Sequence, residues 1–429
     1  MENIIPFGLA PVVVGYRIHI IGAINSINNL TGNKFNLDDL LILPDSEKNY
    51  TEVKNTLYYS KFKNYRSFKK ALFERIDTFM QNKTFVPHIF ITAYNATESN
   101  DAGKDADKLC FAIKQYYKEH NLGKVMTVVL TSRYYKYKHA DLINIPKHLM
   151  TLMIRIRLLK NLRLKNKVLV TTGTVHNLNI QTIKNKHEEL KKNFKRLKKQ
   201  VELEAIIKKF ENYKDKQKKV VILLGGRVQG PEIEFNLEYA KKIFTNAQKL
   251  TKQGYGVVIV NGARTPNDVT DYLYKRSQKQ KDIIFHNCKR IAQNKEDRDS
   301  TKWRIYSGKY EDEFNKFQAI GNIYPGIIGY PNTLVVHTKD SYSSCETACS
   351  SIPTSISSNG LHIDTQKRYD CQNLVDLMCP LYAIEFDEFV KKAQTEKLEP
   401  NDLKQHVLSN PLRVFAETIV NRYLTLFAK

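Results

Sequence analysis

The feature that most constrains this chain is an alternation. Short apolar runs rich in Val, Ile and Leu recur, and each is followed by a longer segment with apolar residues at helical spacing. In the first half the runs are VVVGYRIHI, DDLLILP, HIFITA, KVMTVVLTS, DLINIP and KVLVTTG. The second half repeats the theme with KKVVILLGG, YGVVIVNG, KDIIFHN, WRIYSG and TLVVHT. Of the segments between them, NLEYAKKIFTNAQKLTKQG sets Leu237, Ala240, Ile243, Phe244, Ala247 and Leu250 at helical spacing before a stop at Gly254. A uniformly apolar strand is buried on both faces, and strand, helix, strand in alternation gives parallel sheets covered by helices. The expectation is an α/β protein with two doubly wound domains.

Their limits follow from charge. The stretch 179–219 is rich in Lys and Glu and contains no glycine or proline, which predicts one or two long exposed helices. It divides an N-terminal domain, 1–178, from a second domain, 220–385, and two helical pieces fill 386–429. No uncharged apolar run reaches the roughly 18 residues that a membrane span needs. The run IIPFGLAPVVVGY is shorter, and Glu2 stands where a signal peptide carries basic residues, so the chain reads as cytoplasmic. Cys110, Cys288, Cys345, Cys349, Cys371 and Cys379 form no CxxC pair, which fits reduced thiols. The formal net charge of +24 implies attraction to phosphate-bearing partners, whether nucleotide, anionic lipid or nucleic acid. No zinc finger, RNP-like motif or OB pattern speaks for nucleic acid.

Five segments could carry chemistry. In VVILLGGRVQGPE a strand runs into Gly225 and Gly226, whose missing Cβ atoms let backbone amides approach a phosphate; a plain tight turn reads equally well. The pattern is neither GxGxxG nor a P-loop. In VNGARTPND, Arg264 follows the next strand, where an open parallel sheet places ligands, or else bridges loops. Asn322 and Tyr324 sit on a further loop. In HTKDSYSSCETACSS, Asp340 or Ser341 caps a helix on which Ser343 and Glu346 have capping-box spacing. Cys345 and Cys349 then share an inward face with Tyr342 and Ile352, while Ser343 and Glu346 face the other way, suited to sugar hydroxyls or to capping alone. No metal site and no G-x-S-x-G elbow emerges. Finally, KHLMTLMIRIRLLKNLRLKNK, 147–167, mixes cations with Leu, Ile and Met, which separate only partly on a helix. It reads as a basic element on its own domain or as a contact with anionic lipid through Arg155, Arg157, Lys160, Arg163 and Lys165.

In order, HADLINIPKH, NKVLVTTGTVHNL, VVILLGG, GARTP, GNIYPGI and VVHTKDSYSSCETACSSIPTSIS resemble the mitochondrial-fission family named for the elongated-mitochondria phenotype, over roughly 139–357. The resemblance implies a glycosyltransferase-like GT-B fold: two Rossmann-like domains facing a cleft, with the C-terminal helices returning to the first. It further implies a nucleotide-sugar donor in the second domain, near Gly225, Gly226, Arg227, Arg264, Thr265, Asn322, Tyr324, Asp340, Ser341, Ser343 and Glu346, with no covalently bound cofactor and no metal. Thr172, Gly173 and His176 would edge the cleft on the acceptor side. The family's Pro-x-His-Asp reads here as Pro146, Lys147, His148 and Leu149, and its glycine-arginine motif reads as TAYNAT. Both departures fall on the acceptor side, and no catalytic base is identified. Two functions stay open. One is a glycosyltransferase acting on a membrane-associated acceptor. The other is a non-catalytic adaptor, peripheral at the membrane, that recruits a fission or division protein.

Overall fold

A computed structural model of the chain describes residues 4–9, 14–42, 64–81, 83–93, 102–130, 136–150, 152–176, 180–193, 218–224, 236–261, 265–280, 282–286, 323–330, 333–337, 354–356, 383–395 and 411–427. The strands, in chain order, are β1 Pro6–Leu9, β2 Leu41–Ile42, β3 Ile89–Ala93, β4 Met126–Leu130, β5 Leu142–Pro146, β6 Val168–Thr171, β7 Lys219–Leu223, β8 Gly256–Val260, β9 Ile283–His286, β10 Thr333–His337, β11 Thr354–Ile356 and β12 Ala383–Glu385. The helices are α1 Val14–Thr31, α2 Tyr65–Met80, α3 Ala102–Glu119, α4 Leu152–Lys160, α5 Leu162–Lys165, α6 Ile180–Asn193, α7 Leu237–Lys252, α8 Asn267–Gln278, α9 Ile323–Ile328, α10 Phe386–Thr395 and α11 Leu412–Phe427.

The chain folds into two compact units. Unit 1 joins Met1–Asn177 to Ser409–Lys429, and unit 2 comprises Leu178–Tyr306 and Tyr310–Leu408. Each holds one six-stranded sheet, ordered β2-β1-β3-β4-β5-β6 in unit 1 and β12-β11-β10-β7-β8-β9 in unit 2. Every strand pairing is parallel. The fold class is α/β, with two doubly wound sheets.

In unit 1 the strands are largely apolar because both faces are covered, as the complete burial of β1, β3, β4 and β5 shows. Alternation along each strand assigns the faces. Phe7, Leu9 and Phe90 turn to α2 and α3, where they join Phe68, Leu72, Ile76 and Ile113. Gly8 turns to α1. A Cβ at that position would lie 2.7 Å from the Ile20 Cγ2 and 2.9 Å from the Ile91 carbonyl oxygen, so the helix seats itself against bare backbone. Further along, α3 and α4 close over β4 and β5 through Cys110, Val129, Ile143, Ile145 and Ile154. Burial pushes the Cys110 thiol far up and keeps it protonated. The helix α11 packs on α1 and buries Phe415, Ala416, Ile419 and Val420. Its far end is tied down by Arg422, which donates to the Asn166 carbonyl, and by Tyr423, whose ring meets His88 at 5.6 Å.

In unit 2, Val220, Ile222, Val257, Ile259, Leu334 and Val336 face α7, α8 and α10 in one core. Helix α7 is framed as its sequence predicts. Asn236 accepts from the Tyr239 amide at 3.0 Å at its start, and Gly254, at φ +82°, ends it. Tyr239 joins the buried stripe, whereas Leu237 is partly exposed.

Two sequence expectations are corrected. From Val14 onward the run VVVGYRIHI is the start of α1 and not a strand, because Ile20, Ala23, Ile24 and Ile27 are buried at helical spacing. The first strand instead precedes it, in PFGL. In the described part of the charged stretch 179–219, α6 is not merely exposed, since Ile183 and His187 are buried and the His187 Nδ1 donates to the Gly326 carbonyl at 2.8 Å in α9, and Lys219 is buried as the first residue of β7. The run WRIYSG lies outside the described residues.

Candidate functional site

The order of the unit 2 sheet reverses in its middle. From β7 the chain steps outward to β8 and β9, then returns to place β10 on the other side of β7 and steps away through β11 and β12. Crossovers on the two sides of such a point diverge, and a crevice opens beyond the carboxyl ends of the central strands. Those strands are β7 and β10, and their register sets Leu223 abreast of His337. Leu334 and Val336 face the α7 core, so alternation puts His337 on the opposite face, where it is fully buried at the last position of β10. The β7 ladder continues one residue further, the Leu224 amide donating to the Val260 carbonyl at 2.8 Å. The next residue in sequence is Gly225.

On the β8 side, Asn261 and Thr265 are both buried. The Asn261 Nδ2 donates to the Thr270 Oγ1 at 3.4 Å, linking the end of β8 to the first turns of α8. Helix α8 starts after Pro266 and carries Asp268 in its first turn. Of the candidate donor residues, Thr265 is therefore placed at this edge, and Tyr324 lies in the helix α9 and not, as its sequence suggested, on a loop. Gly225, Gly226, Arg227, Arg264, Asn322, Asp340, Ser341, Ser343 and Glu346 lie outside the described residues. Sequence reasoning passed over His337 and Asn261. Each is a single polar residue ending an apolar strand, a signal that gains meaning only once the strand order is known.

Around the candidate acceptor residues, β6 leads into a tight turn. The Thr171 Oγ1 accepts from Asn144 Nδ2 at 2.9 Å and donates to the Gly173 carbonyl at 2.6 Å. Thr172 is exposed, while Gly173 and His176 are buried. The His19 Nδ1 on α1 donates to the Val175 carbonyl at 2.5 Å and fixes the strand exit against that helix. Burial first, and His19 second, lower the His176 pKa to about 3. At neutral pH the ring is therefore uncharged. Arg155, Arg157, Lys160, Arg163 and Lys165 are all exposed on α4 and α5. Among the described residues, no cluster of His, Cys, Asp or Glu could hold a metal ion, and no helix is long and apolar enough to cross a membrane.

Comparison with known families bears on one expectation. Residues 102–296 match the mitochondrial fission ELM1 family. The ELM1 match starts at α3 and runs past β9, so it takes in parts of both units. Four of the six motifs that carry the resemblance fall within it, from HADLINIPKH to GARTP. No curated protein matches the chain. Among solved structures, the chain is similar to the UDP-GlcNAc 2-epimerase of Methanocaldococcus jannaschii in complex with UDP-GlcNAc and UDP, at 10% identity and a TM-score of 0.44, over 97% of this chain and 98% of that one. The Neisseria meningitidis UDP-GlcNAc 2-epimerase bound to UDP-GlcNAc gives 11% and 0.43, over 98% and 99%. The Streptomyces sp. SF2575 glycosyltransferase SsfS6, complexed with thymidine diphosphate, gives 8% and 0.40, over 98% and 100%.

Proposed function

We propose that unit 2 binds a nucleotide-sugar at the carboxyl ends of β7 and β10, and that the chain is a glycosyltransferase whose acceptor is associated with a membrane. The observation that carries this reading is the reversal of strand order between β7 and β10, with β7 running into Gly225 and Gly226. The backbone amides after β7 would face the diphosphate, a role that glycines permit because nothing projects between amide and phosphate. Transfer breaks the bond from the anomeric carbon to the diphosphate oxygen and forms one to the acceptor oxygen, whose proton passes to water. Negative charge develops on the departing diphosphate, where oriented amides stabilise it most. Arg264 and Thr265 would line the same edge, and Asp340, Ser341, Ser343 and Glu346 would meet the sugar hydroxyls. Asn322 and Tyr324 would hold the base.

Titration calorimetry on the full chain with UDP-, GDP- and CMP-sugars tests the reading. One nucleotide class is expected to release heat, and Gly226→Val is expected to weaken its binding at least about tenfold, or roughly 1.4 kcal/mol. Absence of heat with every nucleotide-sugar overturns the reading.

A second reading has an observation of its own. His176, the titratable candidate on the acceptor side, is buried and neutral. A chain that binds the donor without a base would serve as a non-catalytic adaptor, docked on a membrane and recruiting a fission or division protein. Nucleotide binding without consumption of the nucleotide-sugar in the presence of membrane lipid extract would favour it.

A further inference from the structure

The structure fixes the phase of the helix in 147–167, and with it the meaning of the mixed basic and apolar residues there. Helix α4 lies on unit 1 through Ile154, with Leu158 packed beside the same core. At 100° per residue the pole opposite Ile154 and Leu158 carries Leu152, Ile156 and Leu159, an i, i+4, i+7 stripe. An ordinary surface helix turns such a stripe inward. Here the three side chains are 70%, 43% and 76% exposed. Met153 and Leu162 extend the patch at 60% and 71%. Cations flank the stripe on both sides: Arg155 on one, Arg157 and Lys160 on the other, with Arg163 and Lys165 exposed on α5. No acidic residue occurs between Asp141 and Glu188.

We propose that this face of α4 and α5 lies flat on an anionic lipid surface, the stripe entering the acyl boundary while the flanking cations meet the phosphates. A lipid interface is the partner that rewards both halves of the pattern, since it offers hydrocarbon beneath a layer of negative charge. A second copy of the same face would set cations against cations with no acid between them. Nucleic acid would satisfy the cations but leave the stripe in water. The inference rests on α4 and α5 alone and is independent of nucleotide binding by unit 2.

Co-sedimentation of the full chain with vesicles tests it, using phosphatidylcholine alone and phosphatidylcholine with roughly one third phosphatidylserine. The chain is expected to pellet with the anionic vesicles and to be released as salt rises from about 0.05 M to about 0.5 M. Two triple variants divide the contributions: Leu152→Ser with Ile156→Ser and Leu159→Ser, and Arg155→Gln with Arg157→Gln and Lys160→Gln. Each is expected to lower the partition coefficient at least about tenfold, and the charge variant to lose much of the salt dependence. Circular dichroism of both variants is expected to match the parent, since every substituted side chain is exposed. Four outcomes would overturn the proposal: no pelleting with anionic vesicles, equal pelleting with neutral ones, a variant that binds as the parent does, or a dimer in solution that the stripe variant dissolves. The salt series on the parent chain decides the charge contribution even if a variant fails to fold.

Discussion

At position 8 there is no room for a side chain. The backbone of β1 touches α1 there, so Gly8→Ala must push either the Ile20 side chain or the β3 backbone at Ile91. It is expected to cost about 1–3 kcal/mol in urea denaturation, and an unchanged midpoint would mean that α1 sits further from the sheet than described. His176 makes a prediction of the opposite kind, through protons. Its pKa of about 3 lies below the ordinary 6.5, so between those values the unfolded chain holds a proton that the folded chain lacks. Stability therefore rises with pH across that window and falls as pH drops below about 6.5, by at most about 1.4 kcal/mol per unit. His176→Gln is expected to flatten the decline between pH 6 and pH 4, read as the shift in urea midpoint; an unaltered slope would assign the decline to other groups. Neither effect is visible in sequence. A glycine within PFGL and a histidine within TVHNL look ordinary until the elements that press on them are known.

Elements were more legible than residues. The runs read as β3 to β10 are strands, and where both faces are covered the buried β-branched residues leave a continuous apolar signature. The same signature misleads at VVVGYRIHI, where a helix is covered on one side by the sheet and on another by α11, so its apolar residues run nearly all round. β1 escaped notice because it is four residues long and opens on Pro6. Helix α7 shows the reverse case, in which local signals suffice. Asn236→Ala removes its cap and is expected to cost about 1 kcal/mol, with Asn236→Ser recovering most of it, both measured by thermal denaturation. Helix α4 was legible as basic and apolar but not as oriented, since only the burial of Ile154 says which pole faces water.

For the molecule as a whole, the sequence named candidate residues for a site but not their neighbours. The strand-to-glycine join at Gly225 reads in sequence as a ligand edge or as a tight turn, and only the order of the strands sets β10, and so His337, beside β7. The two units also make a prediction about cooperativity. Phe415 is fully buried within unit 1. Phe415→Ala is expected to cost about 3–5 kcal/mol, and scanning calorimetry should show the loss in one transition while a nucleotide that binds unit 2 still raises the other. Movement of both transitions together would mean that the units melt as one.

That arrangement has a consequence for how the protein is made. Helix α11 covers α1, yet the ribosome must build the whole of Leu178–Leu408 between them. During that interval the nascent chain carries a first unit whose α1 surface still awaits its cover, and it exposes apolar residues to whatever else is being synthesised nearby. Unit 2, drawn from a stretch enclosed within unit 1, can close as soon as β12 and α10 have emerged. The half begun first is thus the half finished last, and newly synthesised chains depend on chaperones most while that surface waits.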